Sequence, residues 1–374
     1  MSNPILQHYI PKSYLKNFAI HKGKKVYLVD TIMRGKNEQV KTLPTKTICA
    51  EKNIYTFDDT KPGDPYALEK FYAVEVDAIY PRVYDKLVNS TIMNITKETK
   101  REILNTLLSL KFRRPEPLQA VISKLEWVFD RMSKEPHSAE SMLNYSIEGS
   151  KYSFYYKDLI SELEIRRKEL KENWLIKHFA QWQEFVEYKM ACGLDVIEVP
   201  DELPIITSDN PVSVFDLMGK RNVANPFDPT NMLEIPLDRT HYLVIHPNVT
   251  SENAYQRIHR SKRDKYFAVG VNRKVQENSD KRIIAYPGDL DAHFASQVEL
   301  DVPNKENIAA MNDMISKTMQ AVDLTKVIKK NNGSIFNQEV ADKVREMRKN
   351  GVMNGDPCFE SLIVELAKKG FFTI

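Results

Sequence analysis

Cysteines are few in this sequence, and long apolar runs are absent. The 374 residues include three cysteines, Cys49, Cys192 and Cys358, whose wide separation argues against a disulfide framework or a cysteine-based zinc site. No apolar run approaches the roughly 20 residues that span a bilayer, and the first residues, MSNPILQHYI, lack the basic and apolar stretches of a signal peptide. We therefore expect a cytoplasmic protein with reduced thiols and no membrane contact.

The common catalytic and nucleotide-binding motifs are also missing. The sequence contains no GxxxxGKS/T, GxGxxG, HExxH or GxSxG pattern, so the familiar nucleotide-binding loops and hydrolase signatures are absent. The net charge of +3 does not by itself indicate a polyanion as partner, because 54 basic residues nearly balance 51 acidic ones. A nucleic-acid partner would need a local basic patch.

What is present is the composition of a globular protein, with 42% hydrophobic and 28% charged residues. The length suggests two or three structural units, or one body with an extension. Hydrophobic periodicity predicts an α+β protein with a catalytic or binding body over 1–300. The pattern divides the chain into four regions: β-rich at 1–60, α-helical at 65–192, mixed β at 193–300, and a helical C-terminal extension at 301–374.

Individual elements follow from the same pattern. Strand-like stretches in the first region occur at 25–29, 47–49 and 54–57, the last two on either side of an Ala-Glu-Lys-Asn turn. Helices are predicted at 97–113, 117–133 and 154–191. Later strands are predicted at 194–199, 204–207, 212–215, 241–246 and 282–285. Later helices are predicted near 251–262 and at 305–330, 336–349 and 357–369.

The segment HYIPKSYLKNF, residues 8–18, contains the first candidate site. Pro11 is suited to start a helix, which places His8 beside a helix N-terminus, where the dipole disfavours a charged imidazole. A neutral histidine can ligate a metal or act as a base. The alternative is that His8 only caps or packs against the helix.

The second candidate is the turn TSDNPV at 207–212, which ends an apolar strand. Pro211 keeps Asn210 out of the α region, and the side chains of Ser208 and Asp209 can bond to local backbone groups, so a tight turn explains the segment. A carboxylate at the end of a strand is also a common position for a metal ligand or a general base. Both interpretations of Asp209 stay open.

Other charged residues complete the candidate set. The acidic candidates are Glu51, Glu69, Glu75 and Asp77. Glu69 and Glu75 lie about 120° apart around a helix, so at most one of them can point at a shared ion. Arg113 and Arg114 end a helix, where they complement the dipole or, alternatively, one of them binds a phosphate with its planar guanidinium. The basic run at 257–265 is typical of a solvated helix face, with a nucleic-acid contact as the alternative.

Five segments, taken in order, resemble a microbial and fungal family known only as domain of unknown function 4238: HYIPKSYLKNF, CAEKNIYTF, ALEKFYAVE, FRRP and IITSDNPV. The likeness spans about residues 7–290, and residues 305–374 have no counterpart in it. The resemblance implies no established activity. It does imply a set of shared positions: His8, Tyr9, Pro11, Glu51, Tyr55, Glu69, Glu75, Arg114, Ser208, Asp209, Asn210 and Asn272.

These residue types suit a metal-assisted hydrolase, either a phosphodiesterase or a nuclease, and defence against phage or mobile DNA would suit such an activity. The carboxylates that would hold Mg²⁺ or Mn²⁺ are Glu51, Glu69, Glu75 and Asp209. His8 would activate water, and Arg114 would neutralise phosphate charge on a nucleic acid or nucleotide. The alternatives are a non-enzymatic interaction module and a nucleotide or small-molecule sensor without turnover. The oligomeric state and the role of the C-terminal helices stay open.

Overall fold

The computed structural model describes residues 6–23, 25–35, 39–57, 63–216, 228, 230–247, 256–301, 322–350 and 357–371. The chain forms two compact units, residues 1–297 and 298–374. Strands and helices occupy largely separate stretches of the first unit, which confirms the predicted α+β class. None of the described helices is both long enough and apolar enough to cross a membrane.

The N-terminal region contributes strands to two sheets. Strand β1 (Leu6–His8) pairs antiparallel with β5 (Ala50–Lys52). Strand β3 (Tyr27–Met33) is central to a five-stranded sheet. The other strands of this sheet are β2 (Ile20–His21), β4 (Lys41–Pro44), β9 (Thr207–Ser208) and β14 (Arg282–Ala285). Because β9 and β14 come from the second β region, this sheet joins the two parts of the chain that carry the candidate motifs.

The strands predicted at 47–49 and 54–57 are wrong. Residues 45–47 form a 3₁₀ turn, residues 53–55 form a further turn, and the strand β5 lies between them, where the sequence predicts a turn. Cys49 and Asn53 flank β5 with φ angles of 52° and 53°. This left-handed conformation is uncommon outside glycine, so the residue types at these two positions do not reveal the bends.

Helices dominate the next region, and the three predicted there are confirmed within a few residues. The helices are α1 (Lys12–Leu15), α2 (Ala67–Tyr72), α3 (Tyr80–Val88), α4 (Lys97–Phe112), α5 (Glu116–Lys134) and α6 (Leu159–Lys189). A π-helical turn (Ala73–Asp77) continues α2. Thr96 caps α4 by accepting a hydrogen bond from the Thr99 N–H at 3.2 Å, as expected for a helix N-terminus.

The middle region is not wholly helical. A hairpin of β6 (Met142–Ile147) and β7 (Ser150–Tyr155) turns at Gly149, whose φ is 80°. The hairpin packs on α5 through the stacked rings of Phe129 and Phe154, whose centroids are 5.4 Å apart. Residues 154 and 155, which the pattern assigns to a long helix, therefore end a strand.

A second five-stranded sheet follows, with the strand order β10-β11-β12-β8-β13. Its strands are β8 (Gly193–Glu198), β10 (Ser213–Phe215), β11 (Met232–Pro236), β12 (His241–His246) and β13 (Ile258–Lys262). The helix predicted near 251–262 is wrong where the structure describes it, because 258–262 is a strand. Residues 251–255 lie outside the described part. Helices α7 (Lys265–Asn278) and α8 (Asp289–Asp301) complete this region.

The main core of the first unit lies where the N-terminal segment meets the helices and the second sheet. Tyr14, Tyr55, Tyr72 and Trp182 are among its largest buried side chains. Burying a large apolar side chain contributes roughly 1.5–3 kcal/mol, so these aromatic rings account for much of the stability around the candidate site. They also leave the polar groups among them with few water contacts.

The second unit is helical in its described residues. Residues 322–330 are helical, and α9 (Gln338–Lys349) and α10 (Pro357–Lys368) follow. Apolar side chains of α9 and α10, including Val344 and Leu366, form one buried cluster. The predicted helices at 336–349 and 357–369 are thus confirmed, while residues 305–321 of the predicted helix 305–330 lie outside the described part.

Candidate functional site

Arg113 is the centre of the polar cluster that contains His8. It directly follows α4, and its side chain is 1% exposed. The guanidinium donates hydrogen bonds to Asp77 Oδ1 at 2.5 Å and to the backbone oxygen of His8 at 2.7 Å. A buried positive charge therefore ties strand β1 to the π-helical turn.

Aromatic side chains enclose this guanidinium. The Tyr72 ring centroid lies 4.2 Å from its central carbon, and the Tyr55 hydroxyl donates to the Arg113 backbone oxygen at 2.6 Å. Burial opposes the positive charge, but Asp77 and the tyrosines outweigh it, and the net pKa of Arg113 is raised. Arg113 stays charged at every pH at which the protein is folded.

His8 is buried and neutral in this cluster. Its Nε2 atom is covered and has no hydrogen-bond partner. The pKa of the imidazole is lowered to about 4, first by burial and then by the positive charge of Lys12, while a hydrogen bond to the Thr45 backbone acts in the opposite direction. Because Nε2 is unbonded, we assign the Thr45 contact to Nδ1–H, which leaves Nε2 with the free lone pair.

Glu69 on α2 belongs to the same cluster. It is half-buried, and its Oε2 atom is covered and has no hydrogen-bond partner. Burial raises the pKa of its carboxyl to about 7, Asp77 adds to this effect, and Arg113 and Lys12 oppose it. His8 and Glu69 respond to the same three charges, so a neutral base and a carboxyl that is partly protonated at neutral pH share one electrostatic environment.

Asp209 has a different role. Its carboxylate accepts the backbone N–H of Asp280 at 3.0 Å and that of Lys281 at 2.9 Å, and its own N–H donates to the Arg282 oxygen at 3.1 Å. Burial and the nearby Asp280 charge raise the pKa of Asp209, and these backbone hydrogen bonds oppose the rise. By accepting these two hydrogen bonds, the Asp209 carboxylate stabilises the turn between α7 and β14.

The neighbouring predicted positions also make internal contacts. Ser208 Oγ accepts the Asn210 N–H at 3.1 Å, and Asn210 Nδ2 donates to the Asn278 oxygen at 2.8 Å. Arg114 forms an ion pair with Asp280. Asn272 accepts the Ile206 N–H and donates to the Pro204 oxygen, both at 2.9 Å. These side chains hold the TSDNPV turn and its surroundings in place.

The remaining predicted positions are distributed around the His8 cluster and the TSDNPV turn. Glu51 accepts from Gln119 Nε2 at 2.7 Å, and Glu75 is exposed. Pro11 is buried directly before α1. Tyr9 donates its backbone N–H to the Cys49 oxygen at 3.0 Å, and burial raises the pKa of its hydroxyl.

Two cations of the basic run at 257–265 make contacts within the first unit. Arg260 donates to the backbone oxygen of Leu87 at 2.5 Å and to that of Ile92 at 3.0 Å. Lys262 pairs with Glu198 at 3.0 Å. These contacts occupy Arg260 and Lys262, and a nucleic-acid contact through this run stays a prediction.

The structure brings His8 and Glu69 into one cluster, and it places Asp209 in another with Arg114. Of the proposed metal ligands, Glu51 and Asp209 are bonded to other groups, Glu75 is exposed, and Glu69 lies in the His8 cluster. No group of three or more His, Cys, Asp or Glu side chains in the described part of the chain is placed to hold a metal.

Arg113, which borders His8, is the arginine that the candidate set left out in favour of Arg114. Arg113 follows the buried Leu110 by three residues and Arg114 follows it by four, and both arginines are buried. The helical spacing therefore does not separate the two, and only the tertiary structure places Arg113 beside His8.

Comparison with known proteins identifies the family but no activity. No curated protein and no solved structure matches the chain significantly. A family model described as "Protein of unknown function (DUF4238)" matches residues 6–289, which is more than half of the chain. The resemblance seen in the sequence is thereby confirmed, and the chain belongs to the DUF4238 family.

Proposed function

We propose that this chain is a hydrolase that cleaves phosphodiester bonds of nucleic acids or nucleotides by acid–base chemistry at His8 and Glu69. The observation that carries the proposal is that His8 Nε2 and Glu69 Oε2 are both covered and without hydrogen-bond partners, near the same charged groups. Leaving such an atom unbonded costs roughly 1–3 kcal/mol. Buried, unbonded atoms are typical of catalytic pairs when the pKa of the base is lowered and the pKa of the acid is raised, as they are for His8 and Glu69.

In this mechanism substrate binding opens the cluster, because neighbouring groups otherwise cover His8 Nε2. Nε2 then accepts a proton from water while the water oxygen attacks phosphorus. The protonated Glu69 carboxyl donates its proton to the leaving alkoxide, and the products are a phosphomonoester and an alcohol. Arg113 orients His8 through its backbone oxygen, and exposed Lys12 is the cation that neutralises phosphate charge. No step is routed through a metal. Mg²⁺ and Mn²⁺ remain predictions and enter as additives in the assay.

The test is hydrolysis of DNA, RNA and nucleotides by the full chain in EDTA, in Mg²⁺ and in Mn²⁺. We expect cleavage that falls roughly 100-fold or more in His8→Gln and in Glu69→Gln, the range for losing a general acid or base. Glu75→Gln, which changes an exposed carboxylate just beyond α2, is the matched control and should retain wild-type activity. Intact substrates under all three conditions, or unaffected rates in both variants, would overturn the proposal.

The defence role against phage or mobile DNA depends on this activity. A cell that expresses the wild-type chain should then restrict phage plating, and a cell that expresses His8→Gln should not. Equal restriction by both chains would argue against a defence role based on cleavage.

A second candidate is a module that binds its ligand without turnover. The observation that favours it is that Nε2 of His8 and Oε2 of Glu69 have almost no contact with solvent, whereas hydrolysis needs water at both atoms. In that case His8→Gln would lower the melting temperature, and no substrate would be cleaved by either chain. Cleavage by the wild-type chain alone would reject this candidate.

A further inference from the structure

Four lysines line a cleft next to the His8 cluster. The cleft has a volume of about 710 Å³ and lies between α1, the start of β3 and the turn after β4. All four lysines are exposed: Lys12, Lys16, Lys25 and Lys46. We call this region the lysine cleft. Its volume is within the range of clefts that hold small-molecule ligands, roughly 300–1,000 Å³.

The lysine cleft and the His8 cluster share two residues. Thr45 lines the cleft, and its backbone forms the hydrogen bond to the His8 imidazole. Lys12 also lines the cleft, and its charge acts on the pKa of both His8 and Glu69. A ligand in the cleft would therefore contact residues that also act on the proposed base and acid.

None of the four lysines forms an ion pair with any residue that the structure describes. Exposed lysines elsewhere in the first unit often do so, as in Lys70 with Asp64 at 2.6 Å and Lys134 with Asp130 at 2.6 Å. Like charges gathered in a concave surface repel one another and raise the local potential, and an anionic ligand relieves both effects.

The cleft favours phosphate recognition over base stacking. Tyr27 is the aromatic residue in its lining, and Lys16 Nζ lies 4.7 Å from the ring centroid. The His21 ring packs against the same tyrosine with centroids 4.8 Å apart. With its ring already in contact with both groups, Tyr27 is poorly placed to stack on a base, whereas lysine ammonium groups bind phosphate as point charges.

We propose that the lysine cleft binds a run of linked phosphates, and that it is the substrate-binding part of the site. Both the triphosphate of a nucleotide and the backbone of a single nucleic-acid strand present this chemistry. The assignment of the bound molecule as substrate rests on the proposed function, but phosphate binding itself does not need turnover.

The test measures binding of three probes to the full chain: inorganic tripolyphosphate, ATP and a fluorescent single-stranded DNA 12-mer. The test variant is Lys25→Gln/Lys46→Gln, which removes two charges on the cleft without altering Lys12. The matched control is Lys124→Gln/Lys151→Gln, which removes two exposed charges from α5 and β7 in the same unit. Circular dichroism confirms that each variant is folded.

We expect the test variant to bind at least tenfold more weakly than the wild-type chain, and the control to stay within twofold. For the DNA probe, the salt dependence of log Kd should fall by about 0.7 for each lysine removed. Preference for DNA would assign a nucleic-acid backbone, and preference for ATP or tripolyphosphate would assign a nucleotide. Absence of binding by all three probes, or equal binding by both double variants, would overturn the proposal.

His8→Gln separates this inference from the proposed function. If that variant binds the probes as tightly as the wild-type chain, the cleft stands on its own, whether or not hydrolysis is detected. If hydrolysis is detected and depends on His8 but not on Lys25 and Lys46, the cleft is not the substrate-binding part of the site, while the acid–base assignment survives.

Discussion

The hydroxyl groups of Tyr14 and Thr207 lie 2.6 Å apart, although 193 residues separate them in the sequence. The Tyr14 hydroxyl also donates to the Pro236 backbone oxygen at 3.0 Å, so it accepts its second hydrogen bond from Thr207. Both side chains are fully buried. The HYIPKSYLKNF segment and the TSDNPV turn therefore meet in one core, through these hydroxyls rather than through His8 and Asp209.

Tyr14→Phe should destabilise the first unit by about 1–3 kcal/mol, because it leaves buried groups of Thr207 and Pro236 without a partner. A double-mutant cycle with Thr207→Val should give a coupling energy of at least about 0.5 kcal/mol. Urea unfolding measures both quantities. Tyr155→Phe, at an exposed position, is the control and should have little effect; additive costs in the cycle would contradict the direct hydrogen bond.

Asp209→Ala should lower stability by about 2–4 kcal/mol, since two buried backbone N–H groups lose their acceptor. The activity per folded molecule should be unchanged at a temperature where the variant is folded. Thermal unfolding and a substrate assay on the same sample measure the two effects, with the exposed Glu202→Gln as control. Lost activity at wild-type stability would instead support Asp209 as a metal ligand.

Arg113→Met should destabilise the protein by about 3–5 kcal/mol, because Asp77 and the His8 backbone oxygen both lose a buried charged partner. Arg113→Lys keeps the positive charge but lacks the planar guanidinium that bonds to both Asp77 and the His8 backbone oxygen. Its unfolding free energy should therefore lie between those of Arg113→Met and the wild type. Denaturant unfolding distinguishes these values, and the exposed Arg131→Met is the control. Tolerance of Arg113→Met would show that the cluster does not depend on this guanidinium.

The rate of hydrolysis should have a bell-shaped pH dependence with limbs near the two shifted pKa values. His8 is deprotonated above about pH 4, and Glu69 is protonated below about pH 7, so the active form is most populated between these values. Initial rates across pH 3.5–9 measure the profile. If Glu69 is the acid, the residual activity of Glu69→Gln should lack the alkaline limb; an unchanged profile would assign the limb to another group.

Stability should also depend on pH through Glu69. Its folded pKa is raised above the value of 4.5, so the folded state binds the extra proton and stability is lost as the pH rises from about 4.5 through about 7. Glu69→Gln removes that loss and should be more stable than the wild type by about 1–2 kcal/mol at pH 8, with the difference disappearing at pH 4.5. Urea unfolding at both values tests this, and Glu75→Gln should show no such change.

Local periodicity determined much of the secondary structure. The helix α4 and the strands β12 and β14 lie within one residue of the positions that the sequence pattern predicts. The pattern works here because the apolar spacing of a helix, and a short run of β-branched and apolar residues bounded by turn residues, are both visible within a short window. The same reasoning predicted a turn where β5 lies, because that strand is bounded by two left-handed residues and is defined by its pairing with β1.

The candidate site was determined only in part by the sequence. The family positions named His8, Glu69 and Asp209 as candidates. Only the tertiary structure separated the His8 and Glu69 cluster from Asp209, and it placed Arg113 rather than Arg114 beside His8. Burial and charge at each side chain depend on residues far away in the chain, so the pKa values of His8 and Glu69 have no local signature. The lysine cleft has none either, because its four lysines are spread from residue 12 to residue 46 and converge only when α1, β3 and β4 pack together.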